Sequence, residues 1–322
     1  MKTIGVLTSG GDAPGMNACI RGVVRTALAN DIITVGIRRG YAGLLESDTE
    51  LLSSRSVGGI ARCGGTILQT ARCLEFKTPA GVKQAVNNIR ELEIDGLVVI
   101  GGDGSLRGAL ELHKAGIPCV GVPASIDNDV AGTDYAIGVD TATNTILEAI
   151  DKIKDTASAH QRAFLIEVMG RKSGYLALAS GVAGGAEMVI VPERPVDMED
   201  IITELARARE RGKPHFIMVV AEGANPNAIK IYEDLKAAGD PGFGTRLTVL
   251  GHVQRGGSPT AFDRILATQM AAEAVKALIA GQSGVMVGVN MSKPLTTPLE
   301  EIFKLERVTD EYLLELEELV AL

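Results

Sequence analysis

Short apolar, β-branched runs alternate along the chain with longer segments whose apolar positions recur every three or four residues. The short runs predict strands at Thr3–Leu7, Ile32–Ile37, Gly96–Ile100, Cys119–Val122, Ala163–Val168, Met188–Val191, His215–Val220, Leu247–Leu250 and Val285–Val289. The longer ones predict helices at Met16–Ala29, Gly81–Leu92, Ser105–Lys114, Thr141–Ala157, Ser173–Ala183, Met198–Arg211, Ala228–Ala238, Ala261–Ala280 and Asp310–Leu319. Strands of four to six apolar residues, each leading into a helix, suit parallel βαβ units buried on both faces. Right-handed crossovers wind such units into doubly wound sheets. The fold class is therefore α/β, and 322 residues leave room for two domains of about 150 residues each. No low-complexity linker or short repeat marks a boundary; a split near residue 140, with the chain crossing back later, fits the spacing.

Several predicted strands run into glycine turns. Ser9-Gly10-Gly11-Asp12 and Gly101-Gly102-Asp103-Gly104 both stand where ligands collect in open α/β sheets, beyond the carboxyl ends of strands. Glycines let backbone N–H groups approach an anion, and a helix N-terminus adds partial positive charge. Asp103 has the chemistry to hold Mg²⁺ beside phosphates. The same turn is also explained as a tight βα connection with Asp or Ser as a cap. Two such turns in one chain favour a phosphate site. Neither fits the P-loop or the G-x-G-x-x-G pattern, so neither a P-loop NTPase nor a nicotinamide cofactor is indicated.

Asp127 and Asp129, in Ser125-Ile126-Asp127-Asn128-Asp129, offer a general base and a supporting carboxylate, or simply an Asx-turn. Arg171 sits in another strand-to-helix turn, where it is either a cation for a transferring phosphoryl group or a solvated arginine. His252 and Arg255 flank a further glycine pair and suit an anion; Arg162 and Arg246 are indistinguishable from surface charge on their own. Arg21 and Arg25 share one helix face.

Composition narrows the class. The net charge is −8, Trp is absent and aromatics make up 3%, so sequence-independent nucleic-acid binding has little support. No apolar run approaches the ~20 residues of a membrane-spanning helix. Cys19, Cys63, Cys73 and Cys119 have neither disulfide-framework nor zinc spacing. The expectation is a cytoplasmic protein with no nucleic-acid or membrane partner.

Taken together, the segments Gly5–Asn17, Gly64–Phe76, Ile100–Ala109, Pro123–Asp129, Asp155–Arg171, Gly184–Pro192, Val219–Gly223 and Val249–Arg264 resemble the bacterial ATP-dependent 6-phosphofructokinase family, in its order and over nearly the whole chain. The resemblance implies two Rossmann-like αβα domains with mostly parallel sheets. The larger, nucleotide-binding domain would comprise residues 1–138 and 252–304, and the sugar-phosphate domain 139–251 and 305–322. It implies transfer of the ATP γ-phosphoryl group to the 1-hydroxyl of fructose 6-phosphate, with Asp127 as base, Arg171 as cation, and Ser125 and Asp129 in support. Gly11, Tyr41, Arg72, Cys73, Phe76, Gly102, Asp103, Gly104, Ser105 and Gly108 match nucleotide positions, with Mg²⁺ at Asp103. Ser125, Ile126, Asp127, Met169, Gly170, Arg171, Glu222, His252, Val253, Gln254 and Arg255 match sugar-phosphate positions. Arg162 and Arg246 match positions that reach a neighbouring subunit's site, which implies a homotetramer.

Three departures bear on function. Ala124-Ser125 stands where ATP users carry Gly-Thr; Ser125 keeps the hydroxyl, while Ala124 adds a Cβ that could restrict the backbone. Pyrophosphate-using relatives carry Lys at the position of Ala124 and Asp at that of Gly104, so ATP is favoured. Arg21, Arg25, Gly185, Glu187, Arg211, Lys213 and His215 match effector positions, whereas Ser54, Gly58, Gly59 and Lys154 depart from them; control by ADP or phosphoenolpyruvate is expected to be weakened or altered. The competing readings are a pyrophosphate-dependent enzyme, a non-catalytic sugar-phosphate-binding subunit, and a Gly-Gly-Asp-Gly kinase acting on NAD or a lipid.

Overall fold

The computed structural model of the chain describes residues 1–305 and 311–320. The elements run β1 (Thr3–Ser9), α1 (Met16–Leu28), β2 (Ile33–Ile37), α2 (Tyr41–Glu46), β3 (Thr49–Leu52), α3 (Pro79–Glu91), β4 (Gly96–Gly101), α4 (Asp103–Lys114), β5 (Cys119–Pro123), α5 (Val139–His160), β6 (Arg162–Val168), α6 (Tyr175–Gly184), β7 (Met188–Ile190), α7 (Met198–Glu210), β8 (Phe216–Ala221), α8 (Ala228–Ala237), β9 (Gly244–Val249), α9 (Ala261–Ile279), β10 (Val285–Asn290), β11 (Lys293–Pro298), α10 (Leu299–Ile302) and α11 (Glu311–Val320). They divide into two compact units. One is Met1–Thr141 with the described part of Arg255–Arg307; the other is Ala142–Gln254 with the described part of Val308–Leu322.

The first unit holds a seven-stranded sheet in the order β11-β10-β5-β4-β1-β2-β3. Its five inner strands are parallel, and β3 and β11 run antiparallel at the two edges. The inner strands read as apolar runs because both their faces are covered. On one face Leu7, Ile37, Leu97 and Val99 pack with Leu44, Ile89 and Leu106 from α2, α3 and α4; α1 and α9 pack together as a separate pair. Fully burying one such side chain stabilises the fold by about 1.5–3 kcal/mol. From β1 the chain moves to β2 on one side, and it returns at β4 on the other. The carboxyl ends of β1 and β4 therefore flank the topological switch point, the crevice where ligands bind in sheets of this kind.

The second unit holds a parallel four-stranded sheet, β7-β8-β6-β9. Leu165, Met218 and Val220 pack there with Ile201, Leu205, Ile231 and Phe243. The connection after β6 leads to one edge and that after β8 to the other, so Met169–Ser173 and Glu222 lie at this sheet's own switch point.

Several elements differ from the sequence expectation; β3, α2, β11 and α10 have no counterpart in it. β3 and β11 carry few buried positions, one of four in β3, and β11 has Pro at 294 and 298; edge strands tolerate both. β9 starts three residues before the predicted Leu247 and stops before Leu250, its early part being polar on an edge. α4 starts at Asp103 rather than Ser105, with Gly102 as its N-cap. The predicted first residue of the last helix, Asp310, lies outside the described residues.

Candidate active site

At the switch point of the first unit, β1 ends on Ser9 and turns through Gly10, whose φ of 87° is left-handed. Gly11 follows, pressed against the Arg255 guanidinium: a Cβ there would stand 2.8 Å from an Arg255 terminal nitrogen. The Arg255 Nε is buried without a hydrogen-bond partner. A guanidinium pressed against a glycine turn with one donor unpaired is an arrangement that an anion completes.

The β4 turn adds the N-terminus of α4. Gly102 lies beside the β5 loop, a Cβ there falling 3.7 Å from the Ser125 Cβ. Asp103 sits in the first turn of α4, where a carboxylate complements the helix dipole. Both its oxygens are engaged by Arg107, at 2.9 Å from Nε and 3.2 Å from Nη2, and Arg107 also stacks over the Phe303 ring. Gly104 is exposed with open space where a Cβ would go. Gly108 makes room for Tyr41, whose ring would lie 2.6 Å from a Cβ at 108. Tyr41 donates to the Ser105 carbonyl at 2.6 Å and stacks on Phe76 with centroids 4.0 Å apart. Arg72 is exposed and Cys73 half-buried on the loop that precedes Phe76.

The loop after β5 is fixed by its own side chains. Ser125 Oγ accepts the Asp127 N–H at 3.2 Å and donates to Asp129 Oδ1 at 3.4 Å. Asn128 is fully buried in the left-handed region; its amide donates to the Asp134 carbonyl and accepts from the Ala136 N–H. Asp127 is 4% exposed and Ile126 is buried, while Asp129 faces solvent. Ala124 pairs with Ile137 in a parallel bridge and has no positive φ. Its Cβ therefore meets none of the strain that glycine at that position would avoid.

In the second unit the β6 turn carries Met169, Gly170 and Arg171. Gly170 has φ 141° and Arg171 φ 53°. Glu222, at the end of β8, holds this bend by accepting the Arg171 N–H at 2.8 Å, and a methyl on Gly223 would overlap the Arg171 carbonyl oxygen. Gln254 is fully buried and spends its amide on backbone, accepting from Met169 N–H and donating to the Gly251 carbonyl. His252 and Val253 are exposed in the turn Gly251–Arg255. Burial, and then the charge of Glu222, push the Glu167 carboxyl above its ordinary range. Arg162 and Arg246 lie on neighbouring strands with Arg162 opposite Gly244, which places them on one sheet face, two residues apart in register.

The second unit also gathers most of the expected effector residues. Lys154 donates to the carbonyls of Gly184 and Gly185. Glu187 accepts from the Ile217 N–H and pairs with Lys213 at 3.4 Å; His215 Nδ1 hydrogen-bonds Ser158 Oγ, one turn along α5 from Lys154. Arg211 instead approaches Glu204 at 3.8 Å. In the first unit Arg25 donates to the Ser54 carbonyl and Arg21 is half-buried on the same helix.

The family model described as Phosphofructokinase matches residues 3–278. The chain belongs to the phosphofructokinase family. It is 56% identical over 293 residues to the ATP-dependent 6-phosphofructokinase of Bacillus cereus, covering 91% of each chain. With the Bacillus cytotoxicus ATP-dependent 6-phosphofructokinase it shares 53% identity over 310 residues, 96% of each. Among solved structures, phosphofructokinase from Saccharomyces cerevisiae superposes with TM-score 0.88 at 37% identity over the whole of this chain, which spans 48% of the yeast chain. A pyrophosphate-dependent phosphofructokinase from Marinobacter aquaeolei shares the fold, with TM-score 0.84 at 23% identity and coverage of 97% and 86%. The α/β fold of two Rossmann-like domains expected from the sequence is thus that of the phosphofructokinase family.

Against that family background, the sequence reading overlooked polar residues that hydrogen-bond to candidate site residues or to the loops beside them. Arg107 escaped notice although it stands one helical turn from Asp103, a spacing that pairs charges. Asn17 and Thr8 are buried polar groups within apolar elements. Their signal was a polar residue at a position whose neighbours all face the core. Among the described residues no helix is long and apolar enough to cross a membrane.

Proposed function

We infer that this chain is an ATP-dependent 6-phosphofructokinase, an enzyme that transfers the γ-phosphoryl group of ATP to the 1-hydroxyl of fructose 6-phosphate. One observation supports the assignment of roles most directly. The Gly102 turn, suited to phosphates, abuts Ser125, which accepts the Asp127 N–H; donor phosphate and candidate base thus belong to neighbouring loops of one unit.

Phosphoryl transfer demands positioning and charge stabilisation rather than covalent help from the protein. In this reading the N–H groups of the β1 and β4 turns and the N-terminus of α4 hold the nucleotide phosphates, with Arg255 beside Gly11. Asp127, buried and fixed at its backbone, takes the proton of the acceptor hydroxyl. Arg171 neutralises charge on the travelling phosphoryl group, and Glu222 sets its backbone. Arg162, Arg246 and His252 serve the sugar phosphate, the two arginines from a neighbouring subunit of a homotetramer. The first unit takes the nucleotide and the second the sugar phosphate. Mg²⁺ fits Asp103: a single carboxylate beside phosphates is a common Mg²⁺ arrangement, and both oxygens of Asp103 already attract a cation in Arg107. When bound, the ion would neutralise the phosphate charge. Open space at Gly104 favours ATP over pyrophosphate as donor. Lys154 in place of an arginine cannot form a bidentate guanidinium contact, so ADP and phosphoenolpyruvate are expected to exert weakened or altered control; a cytoplasmic location is expected for such an enzyme.

The test is a coupled assay with ATP or pyrophosphate as donor, run beside Asp127→Asn. Bisphosphate is expected with ATP, and the variant should lose about 10²–10⁴-fold in kcat. No product with ATP overturns the activity, and a near-full rate in the variant overturns the role of Asp127. A full-strength shift of the fructose 6-phosphate curve by ADP would overturn the regulatory expectation, and light scattering at monomer mass would overturn the tetramer.

A further inference from the structure

Residues 63–69 form neither helix nor strand, so their backbone groups need partners from elsewhere. Four of these come from two buried polar side chains. Asn17, on α1 and 1% exposed, donates from Nδ2 to the Cys63 carbonyl at 3.1 Å and the Gly64 carbonyl at 3.0 Å. Its Oδ1 accepts the Ile67 N–H at 2.8 Å. Both amide hydrogens and the oxygen are thus committed to one short stretch of loop. Thr8, fully buried in β1, donates from its hydroxyl to the Gln69 carbonyl at 3.0 Å and meets Thr66 Oγ1 at 2.9 Å. The Arg39 N–H adds a bond to the Leu68 carbonyl at 2.7 Å. On the other side, the Ser258 hydroxyl holds the Arg62 carbonyl at 2.7 Å, and Gly64 packs so close to Gly257 that any side chain would run into its carbonyl.

Thr8 and Asn17 flank the Ser9–Gly15 turn in sequence, so the loop is tied to the two elements that frame that turn. Three residues past Gln69 the chain reaches Arg72. We propose that Asn17 is a positioning residue for nucleotide binding: by gripping the backbone of residues 63–67 it sets Arg72 relative to the first glycine turn, with Thr8 as its auxiliary. The proposal rests on the reading of Arg72 as a nucleotide ligand. It predicts a loss of nucleotide affinity that travels through Arg72, which a purely structural asparagine would not give.

A double-mutant cycle tests this, reading equilibrium binding of a fluorescent ADP analogue with Mg²⁺ together with KM and kcat for ATP. Asn17→Ala is expected to weaken analogue binding and raise the KM for ATP by about tenfold, with kcat changed by less than about threefold. In an Arg72→Ala background the same substitution should cost less than about twofold, because contacting residues couple and independent ones add. Asn17→Asp, which keeps an acceptor for Ile67 and has no donors for the two carbonyls, should resemble the alanine variant. Thr8→Val replaces the hydroxyl by a methyl of the same shape, and covers the case in which the Asn17 variants do not fold; it should show the same dependence on Arg72, at about threefold. An unchanged affinity in the folded variants, or equal losses in both backgrounds, overturns the proposal. If Arg72→Ala itself leaves nucleotide affinity unchanged, the reading of Arg72 falls and the positioning role falls with it. If Arg72→Ala is impaired and the effects simply add, only the role of Asn17 is lost.

Discussion

Asp263 lies fully buried in the first turn of α9 and caps the start of α5. One carboxylate oxygen accepts the Gly138 N–H at 2.8 Å, and the other accepts the Thr141 N–H at 2.8 Å together with the Thr141 hydroxyl. Asp263→Ala removes that acceptor from two backbone donors and a hydroxyl. An unsatisfied buried donor costs about 1–3 kcal/mol, so the two backbone groups alone cost about 2–6 kcal/mol. Removing a carboxylate held away from water returns part of this, leaving a net loss of about 3 kcal/mol. At about 2–4 °C per kcal/mol for a unit of this size, thermal unfolding should fall by about 6–12 °C. Asp263→Asn keeps one accepting oxygen and should lose about half as much. Circular dichroism melts of both variants beside wild type decide the matter. A melting temperature of the alanine variant within about 2 °C of wild type would refute the view that these bonds hold the start of α5.

Further predictions address the site. Gly104→Asp should leave the melting temperature within about 1 °C, since nothing lies where its Cβ would go, yet weaken ATP; unchanged ATP affinity would contradict the nucleotide path over Gly104. Arg107→Ala should lower the free Mg²⁺ needed for half-maximal nucleotide binding by about twofold, because an exposed pair one turn apart is worth only about 0.3–0.5 kcal/mol; a raised requirement would show Arg107 aiding the ion instead of competing with it. Gly223→Ala should lower both the melting temperature and kcat, as its methyl would displace the Arg171 backbone carbonyl; a melting loss without a kcat loss would argue against a catalytic role for that bend. Glu167 has a raised folded-state pKa, so its contribution to stability is full at acid pH and fades as pH rises through that value. Glu167→Gln should therefore gain in melting temperature on wild type between pH 4 and pH 7; a gap moving the other way would reverse the sign.

The parallel strands were legible because their apolar runs report burial on both faces, and the glycine turns because they follow those runs directly. β3 and β11 were not. An edge strand buries little and tolerates Pro294 and Pro298, so it leaves no periodic trace. The short α2 escaped for a related reason: its Tyr41 and Leu44 join the core, but six residues give too few turns to reveal a period. At the site, residue types announced Asp127, Asp103 and Arg171 as candidates, yet only packing distinguishes a partner such as Gln254, whose amide is consumed by Met169 and Gly251. Hydrogen bonds between residues far apart in the chain, as between Asn17 and Cys63, have no local sequence signature.

The left-handed backbone at Arg171 bears on how that position is probed. Any replacement inherits a bend that most side chains resist, anchored by Glu222 and hemmed in by Gly223. Asparagine or glycine would relax the loop while deleting the charge, and a branched residue would distort it, so either exchange confounds electrostatics with geometry. Lysine, unbranched at Cβ and still cationic, is the substitution that isolates the guanidinium from the peptide carrying it.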